Sequence, residues 1–300
     1  MTANESPAAS PHYVDSTDGV RVAYHDFGGS GPLLLLSHAT GFCAGVWQPM
    51  AENLTDHFRC VGIDYRGHGY TITPAETTMA WTGMANDLLS VVDALVGDEP
   101  VFVAGHSMGG AALVLADRLR PGTVAKAWGF EPILYDAAMM ATVNPEDPSR
   151  MTQAAQRRRA SFESREAVYE RYAAKHAAEH ARSSGIAGLR RLRLRRDLTS
   201  DDPDHAECPG GVTLRCTPAR EAETFANARS GAFEALADIE FDYRVLMSGD
   251  GMPPALMAEH AAESWERIQL ARYPELTHFG PLEQPELMAT DVLEWFSVAD

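Results

Sequence analysis

A mostly parallel α/β sheet, interrupted by an inserted helical region, is the fold class that the sequence predicts. Three observations lead there. Between residues 33 and 130, short apolar runs alternate with longer segments of helical periodicity, the signature of βαβ units. This rhythm stops at Leu134 and resumes near Arg244. The run 33–36 is four leucines without a polar interruption, which suits a strand covered on both faces.

Taken in order, residues 1–11 read as a frayed tail rich in Pro, Ala and Ser. Residues 13–15 and 20–27 are expected to form two strands joined by a turn at Thr17-Asp18-Gly19. Gly28-Gly29-Ser30-Gly31-Pro32 ends the second strand. A strand at 33–36 is followed by a helix at 46–54, a strand at 58–63 and the loop Asp64-Tyr65-Arg66-Gly67-His68-Gly69. In 78–95, Met84, Leu88, Val91, Val92 and Leu95 recur at helical spacing. A strand at 101–104, a helix at 108–119 and a strand at 124–130 complete the first half. The stretch 134–236 reads as Ala- and Arg-rich helices broken at Gly210-Gly211. The α/β rhythm then returns with a strand at 244–247, a helix at 254–262, a strand at 267–270 and a helix at 285–298. The expected organisation is a core of 12–133 and 237–300, with 134–236 as a helical insertion.

Composition narrows the function. The 300 residues are 45% hydrophobic and 22% charged, which excludes a mainly disordered or collagen-like chain. The net charge of −17 disfavours a nucleic-acid partner. The charge is uneven, because residues 150–196 hold 13 Arg and Lys against four Glu. An Arg run from Arg190 to Arg196 falls in this part, and a solvated helix face is its preferred reading. Cys43, Cys60, Cys208 and Cys216 form no CxxC pair, so neither a metal site nor a disulfide framework is expected. No apolar run approaches the ~20 residues of a membrane span. The N-terminal dozen residues have neither a basic start nor an apolar core, so a cytoplasmic location is expected.

Gly105-His106-Ser107-Met108-Gly109 fits G-x-S-x-G between a predicted strand and a predicted helix. That context defines a nucleophile elbow, a tight turn that presents the Ser hydroxyl above the sheet edge at the positive end of a helix. A Ser hydroxyl needs a base. Of the 11 histidines, His278 in Thr277-His278-Phe279-Gly280-Pro281 follows the last predicted strand and is the candidate.

With Ser37-His38-Ala39-Thr40-Gly41-Phe42 and Asp64-Tyr65-Arg66-Gly67-His68-Gly69, these motifs make the chain resemble the α/β-hydrolase fold superfamily over roughly 20–130 and 240–298. The resemblance implies a Ser-His-acid triad. It also implies an oxyanion hole from the backbone N–H groups of Thr40 and Met108. In this chain Ala39 stands where the family usually has Gly. The family's common acid position, in a Gly-x-x-Asp turn, holds Met252, and Asp250 lies two residues early. Some relatives instead place the acid after the strand that follows the nucleophile helix, where this chain has Phe130-Glu131-Pro132. Glu131 is therefore preferred, with Asp250 as the alternative. His38, Asp64, Arg66 and His68 are expected mainly to scaffold loops.

The insertion falls where family members often carry a lid. Candidate pocket residues are His38, Ile133, Leu134 and Tyr135. Met139, Met140, Phe162, Tyr169, Tyr172, Phe225 and Phe233 are candidates for a lid surface or for the insertion's own core. The expected activity is hydrolysis of an ester, lactone or related acyl bond in a small-molecule substrate. No metal or organic cofactor is expected, and a homo-oligomer is left open. Carbon–carbon bond hydrolysis and cofactor-free perhydrolysis on the same fold are alternatives, as is a non-catalytic small-ligand receptor.

Overall fold

The computed structural model describes residues 10–136, 150–168, 170–171, 199–200, 211–249 and 251–297. Eight strands form the main sheet: β1 His12–Asp15, β2 Arg21–Gly28, β3 Leu33–Ser37, β4 Arg59–Asp64, β5 Val101–His106, β6 Val124–Phe130, β10 Asp242–Ser248 and β11 Ile268–Tyr273. Their spatial order is β1-β2-β4-β3-β5-β6-β10-β11. The first two pairings, β1 with β2 and β2 with β4, are antiparallel, and all pairings from β4 to β11 are parallel.

The leucines of β3 show why this sheet is covered twice. Leu33 and Leu35 belong to the core on one face, with α2 (Trp81–Leu95) and α3 (Met108–Leu119). Leu34 and Leu36 belong to the core on the other face, beside Trp47, Met50, Trp128, Met288 and Phe296. Alternate side chains of a strand point to opposite faces, so an all-apolar strand requires cover on both. The C-terminal helix Pro285–Phe296 is held there by one buried carboxylate. Asp291 accepts from Trp128 Nε1 at 2.8 Å, Tyr273 OH at 2.6 Å, and Arg244 Nε and Nη2 at 2.7 Å each.

Three expectations change. The 46–54 helix is a 3-10 turn, Ala44–Trp47, followed by one α turn, α1 (Gln48–Ala51). The insertion is not wholly helical. Among the described residues it includes a three-stranded antiparallel sheet in the order β7-β9-β8: Ser161–Phe162, Val212–Leu214 and Thr199–Ser200. Strands of two or three residues are too short to show a period in sequence. Finally, helix Ala232–Ala235 packs in the main core against α3, with Ala232, Phe233, Ala235 and Leu236 buried there. The stretch separate from the core thus ends before 236.

Phe162, Val168, Val212 and Leu214 form a small core of their own within the insertion. Met139, Met140, Tyr169, Tyr172, Cys208 and the Arg190–Arg196 run lie outside the described residues. Cys43, Cys60 and Cys216 are buried, and none of the three forms a disulfide among the described residues. Among the described residues, no helix is long and apolar enough to cross a membrane.

Candidate active site

Register places the candidate residues along one edge. Ser37 pairs with Gly105, His106 with Phe130, and Phe130 with Leu246, so β3, β5, β6 and β10 end together at their carboxyl ends. The segments that carry Thr40, Ser107 and Glu131 leave from this edge, the usual place for sites in open α/β sheets.

Ser107 sits between β5 and α3 at φ 55°, ψ −116°, a sparsely populated conformation for a residue with a side chain. The turn is held on both sides. Ser107 N–H donates to Phe130 O at 3.0 Å, and Ser107 O accepts from Gly110 N at 3.1 Å and Ile133 N at 3.2 Å. The flanking glycines are steric requirements. A Cβ on Gly105 would lie 2.7 Å from Gly110 Cα, and one on Gly109 would lie 2.2 Å from Ser37 O. Strand and helix approach closely enough to aim Ser107 only because both side chains are absent.

Glu131, directly after β6, also has positive φ (44°) and is fully buried. Its backbone N–H donates to Leu246 O at 2.9 Å. One carboxylate oxygen accepts the Ser248 N–H of β10 at 2.7 Å. The other accepts Nδ1–H of His278 at 2.6 Å. The carboxylate thus reaches across the end of β10 to the loop after β11. This contact fixes the imidazole tautomer with the proton on Nδ1 and leaves Nε2 as the acceptor. Asp250 lies outside the described residues.

His106, the variable residue of the elbow motif, is buried and donates Nε2–H to the His278 carbonyl at 2.7 Å. Burial pushes its pKa well below the usual histidine value, so it stays neutral. Sequence reading passed over this residue, because nothing local says which way an elbow side chain points.

The loop after β3 is held by two neutral histidines. His38 Nδ1–H donates to Ala39 O at 2.8 Å, while its Nε2 accepts from Tyr65 N at 3.2 Å. His68 Nδ1–H donates to Arg66 O at 2.9 Å, and its Nε2 accepts Gly41 N–H at 3.0 Å. Burial lowers both pKa values, that of His68 to about 3. Asp64 ties the same region together, accepting from Ala44 N at 2.6 Å, Tyr70 N at 2.8 Å and His25 Nε2 at 3.0 Å. Burial alone would raise its pKa, but these bonds and the neighbouring histidines outweigh it and hold the group low. Arg66 is fully engaged with Asp87 and Asp18.

Thr40 and Met108 are both buried, on the loop after β3 and at the first position of α3. The first N–H groups of a helix have no partner within the helix and carry its positive dipole end. The pocket expectations divide. His38 has no exposed surface and both ring nitrogens are occupied by the chain, and Leu134 is wholly buried in the main core. Ile133 and Tyr135 remain partly exposed.

Residues 33–291 match the α/β hydrolase family. The chain belongs to that family. Among solved α/β hydrolases, the chain is similar to E-2-(acetamidomethylene)succinate hydrolase, with a TM-score of 0.74 and 20% identity over 96% of this chain and 99% of that one. It is also similar to the enol-lactonase from Burkholderia xenovorans, with a TM-score of 0.68 and 16% identity over 96% of this chain and 100% of that one. In sequence it is 34% identical over 122 residues to the Bos taurus protein phosphatase methylesterase 1, covering 36% of this chain and 32% of that protein. It is 27% identical over 302 residues to the probable oxidoreductase EphD of Mycobacterium tuberculosis, covering 96% of this chain and 49% of that protein. The chain therefore spans about a third of the methylesterase's length and about half of EphD's.

Proposed function

We propose that this α/β hydrolase cleaves a carboxylic ester, lactone or related acyl bond of a small molecule, with Ser107 as nucleophile. The observation that carries the proposal is the 2.6 Å contact from His278 Nδ1 to Glu131, made at the sheet edge where Ser107 occupies a strained elbow. In this reading Nε2 of His278 takes the proton from Ser107 as its oxygen attacks the carbonyl carbon. Glu131 holds the tautomer and stabilises the imidazolium. The backbone N–H groups of Thr40 and Met108 receive the negative charge developing on the carbonyl oxygen. Collapse expels the alcohol, which takes the proton from His278, and leaves an acyl-Ser107 ester. A water activated by His278 then releases the acid and restores the serine.

A serine in place of a carboxylate nucleophile argues against alkyl-ester chemistry of the dehalogenase or epoxide hydrolase kind. The names of the methylesterase and the enol-lactonase also point towards acyl substrates. The test is turnover of p-nitrophenyl acetate by the purified chain. Turnover is expected, with complete loss after treatment with a serine-directed phosphonate that labels Ser107, and after Ser107→Ala. Turnover that survives both would remove Ser107 as nucleophile. No turnover of any acyl substrate, with ligand binding retained, would favour a receptor on the same fold.

A further inference from the structure

We infer that His106 is a positioning residue for the base: its one side chain ties the backbone of His278 to the strand end that carries Ser107, and so sets how nucleophile and base meet. The inference rests on the reading of Ser107 as nucleophile and His278 as base. His106 is the last residue of β5 and directly precedes Ser107. Its backbone pairs with Phe130 of β6, and Ser107 N–H is bonded to Phe130 O at 3.0 Å. The point from which the imidazole leaves is therefore fixed by the same sheet edge that fixes the elbow.

From there the ring reaches the loop after β11, 172 positions along the chain, and its Nε2–H donates to the His278 carbonyl at 2.7 Å. The His106 ring centroid lies 5.0 Å from that of His278, 6.1 Å from Phe130 and 6.5 Å from Phe279. With 1% of its surface exposed, the ring is packed in this orientation. The loop has further anchors beside it. Thr277 gives its N–H to Glu283 at 3.0 Å and its hydroxyl at 2.5 Å. Gly280 lies so close to Phe130 that a Cβ there would run into the ring. Those contacts hold the neighbours of His278, whereas the His106 bond acts on His278 itself.

A histidine base must have two things set, the turn of its ring and the place of the backbone from which the ring hangs. Glu131 sets the first by accepting Nδ1–H at 2.6 Å. The His106 bond sets the second at the carbonyl. Misplacement of a reacting group by about 1 Å costs on the order of a hundredfold in rate. The donor must also add no charge, because His278 becomes an imidazolium during the reaction and a cation beside it would oppose that step. Burial and the neighbouring His278 hold the His106 pKa well below the ordinary histidine value, so the ring donates as a neutral group.

The experiment compares His106→Phe, His106→Gln and His106→Asn with the wild type. Phe keeps a ring and loses the donor. Gln keeps an N–H at the reach of Nε2, and Asn carries the same amide one methylene short. Steady-state kinetics on p-nitrophenyl acetate are measured well below each variant's melting temperature, and crystal structures are determined for the wild type and His106→Phe. His106→Phe is expected to lose about a hundredfold in kcat with KM within about threefold, because the base is displaced while the binding surface stays. His106→Gln is expected to recover to within about tenfold of wild type, and His106→Asn to stay as slow as His106→Phe. The His278 ring is expected to shift by about 1 Å relative to Ser107 in His106→Phe. A His106→Phe rate within threefold of wild type, or a His106→Gln rate no better than that of His106→Phe, would overturn the positioning role. Should His106→Phe fail to fold, equal rates for the Gln and Asn variants would overturn it. If the wild type shows no Ser107-dependent turnover, the proposed function fails, and the crystal structures still decide the placing: a His278 ring unmoved in His106→Phe refutes it.

Discussion

Glu131 has two bonds to make and two oxygens to make them with. Ser248 N–H takes one and the His278 imidazole takes the other. An amide at this position has one acceptor and one donor, so Glu131→Gln must face one of these N–H groups with its own NH2. The variant is expected to lose about 10⁴ in kcat on p-nitrophenyl acetate, the scale set by losing the tautomer-fixing acid in a protease triad. Asp250→Asn, the parallel change at the alternative acid, is expected to cost far less. The reverse ranking would move the acid to Asp250. Gly109 gives a residue-scale test of the elbow. Gly109→Ala brings a methyl against Ser37 O, a backbone atom that does not yield. It is expected to lower stability by about 1–3 kcal/mol in chemical denaturation, as overpacking commonly does, with loss of turnover as Ser107 is displaced.

At the scale of elements, helix Pro218–Ala226 is bound to the core at many points although it belongs to the insertion. Arg220 Nη2 donates to Pro74 O at 2.7 Å and Ala75 O at 2.8 Å, and its Nη1 donates to Thr77 O. Met79 N donates to Glu223 at 3.0 Å, and Trp81 Nε1 donates to Thr224 O at 3.0 Å. These bonds fix the helix to the segment 74–81. Excising 137–232 as a block would strip Trp81 of its acceptor and expose the loop at 74–77. Arg220→Met isolates part of that effect and is expected to cost about 1–3 kcal/mol, since charge-assisted bonds to three carbonyls are lost together. Thermal and urea unfolding measure it. No change in either would mean that the helix does not depend on this residue for its place. The C-terminal helix gives a companion case, because Asp291→Ala leaves Arg244, Tyr273 and Trp128 without their shared acceptor. That change is expected to cost about 3–5 kcal/mol, as breaking a buried ion pair does.

For the whole molecule, the buried histidines set the response to acid. His38, His68 and His106 all have their pKa lowered by burial, and each uses its neutral form to hold a loop of the site. An unfolded chain protonates these rings near pH 6.5. The folded chain does so only at lower pH, about 3 for His68. Between those values the unfolded state binds more protons, so stability rises with pH and falls as pH drops. Asp64 and Asp291, both held below the ordinary aspartate value, add a loss of the same sign at lower pH. The melting temperature is expected to be level above about pH 7 and to fall steadily from pH 6.5 towards 4. His68→Asn, whose Nδ2–H can replace the Nδ1–H donor but does not titrate, is expected to flatten part of that slope. A melting temperature unchanged from pH 7 to 4.5 would contradict the neutral state of these rings.

How much of this was readable beforehand follows from range. Helix α3 at Met108–Leu119 and strand β6 at Val124–Phe130 match the sequence reading at both ends, because apolar periodicity and the turn glycines are local signals. Ser107, His278 and the preference for Glu131 came from motifs and their chain order, and each motif is a few residues long. The β7-β9-β8 sheet was not readable, since its strands are too short for a period and pair residues more than a dozen positions apart. The docking of Ala232–Ala235 onto α3 was hidden for the same reason: four residues carry too little pattern to say which core they join. The sequence by itself determined the fold class and the elbow, and it named Ser107, His278 and Glu131 as the candidate residues. Only the tertiary structure decided that the Glu131 carboxylate bridges β10 to reach His278, that His106 holds the His278 backbone, and that Glu221 and Arg158 stand against Gly41. These contacts join residues 117, 147, 172 and 63 positions apart. Their partners meet through sheet order and chain crossing, which no local pattern encodes.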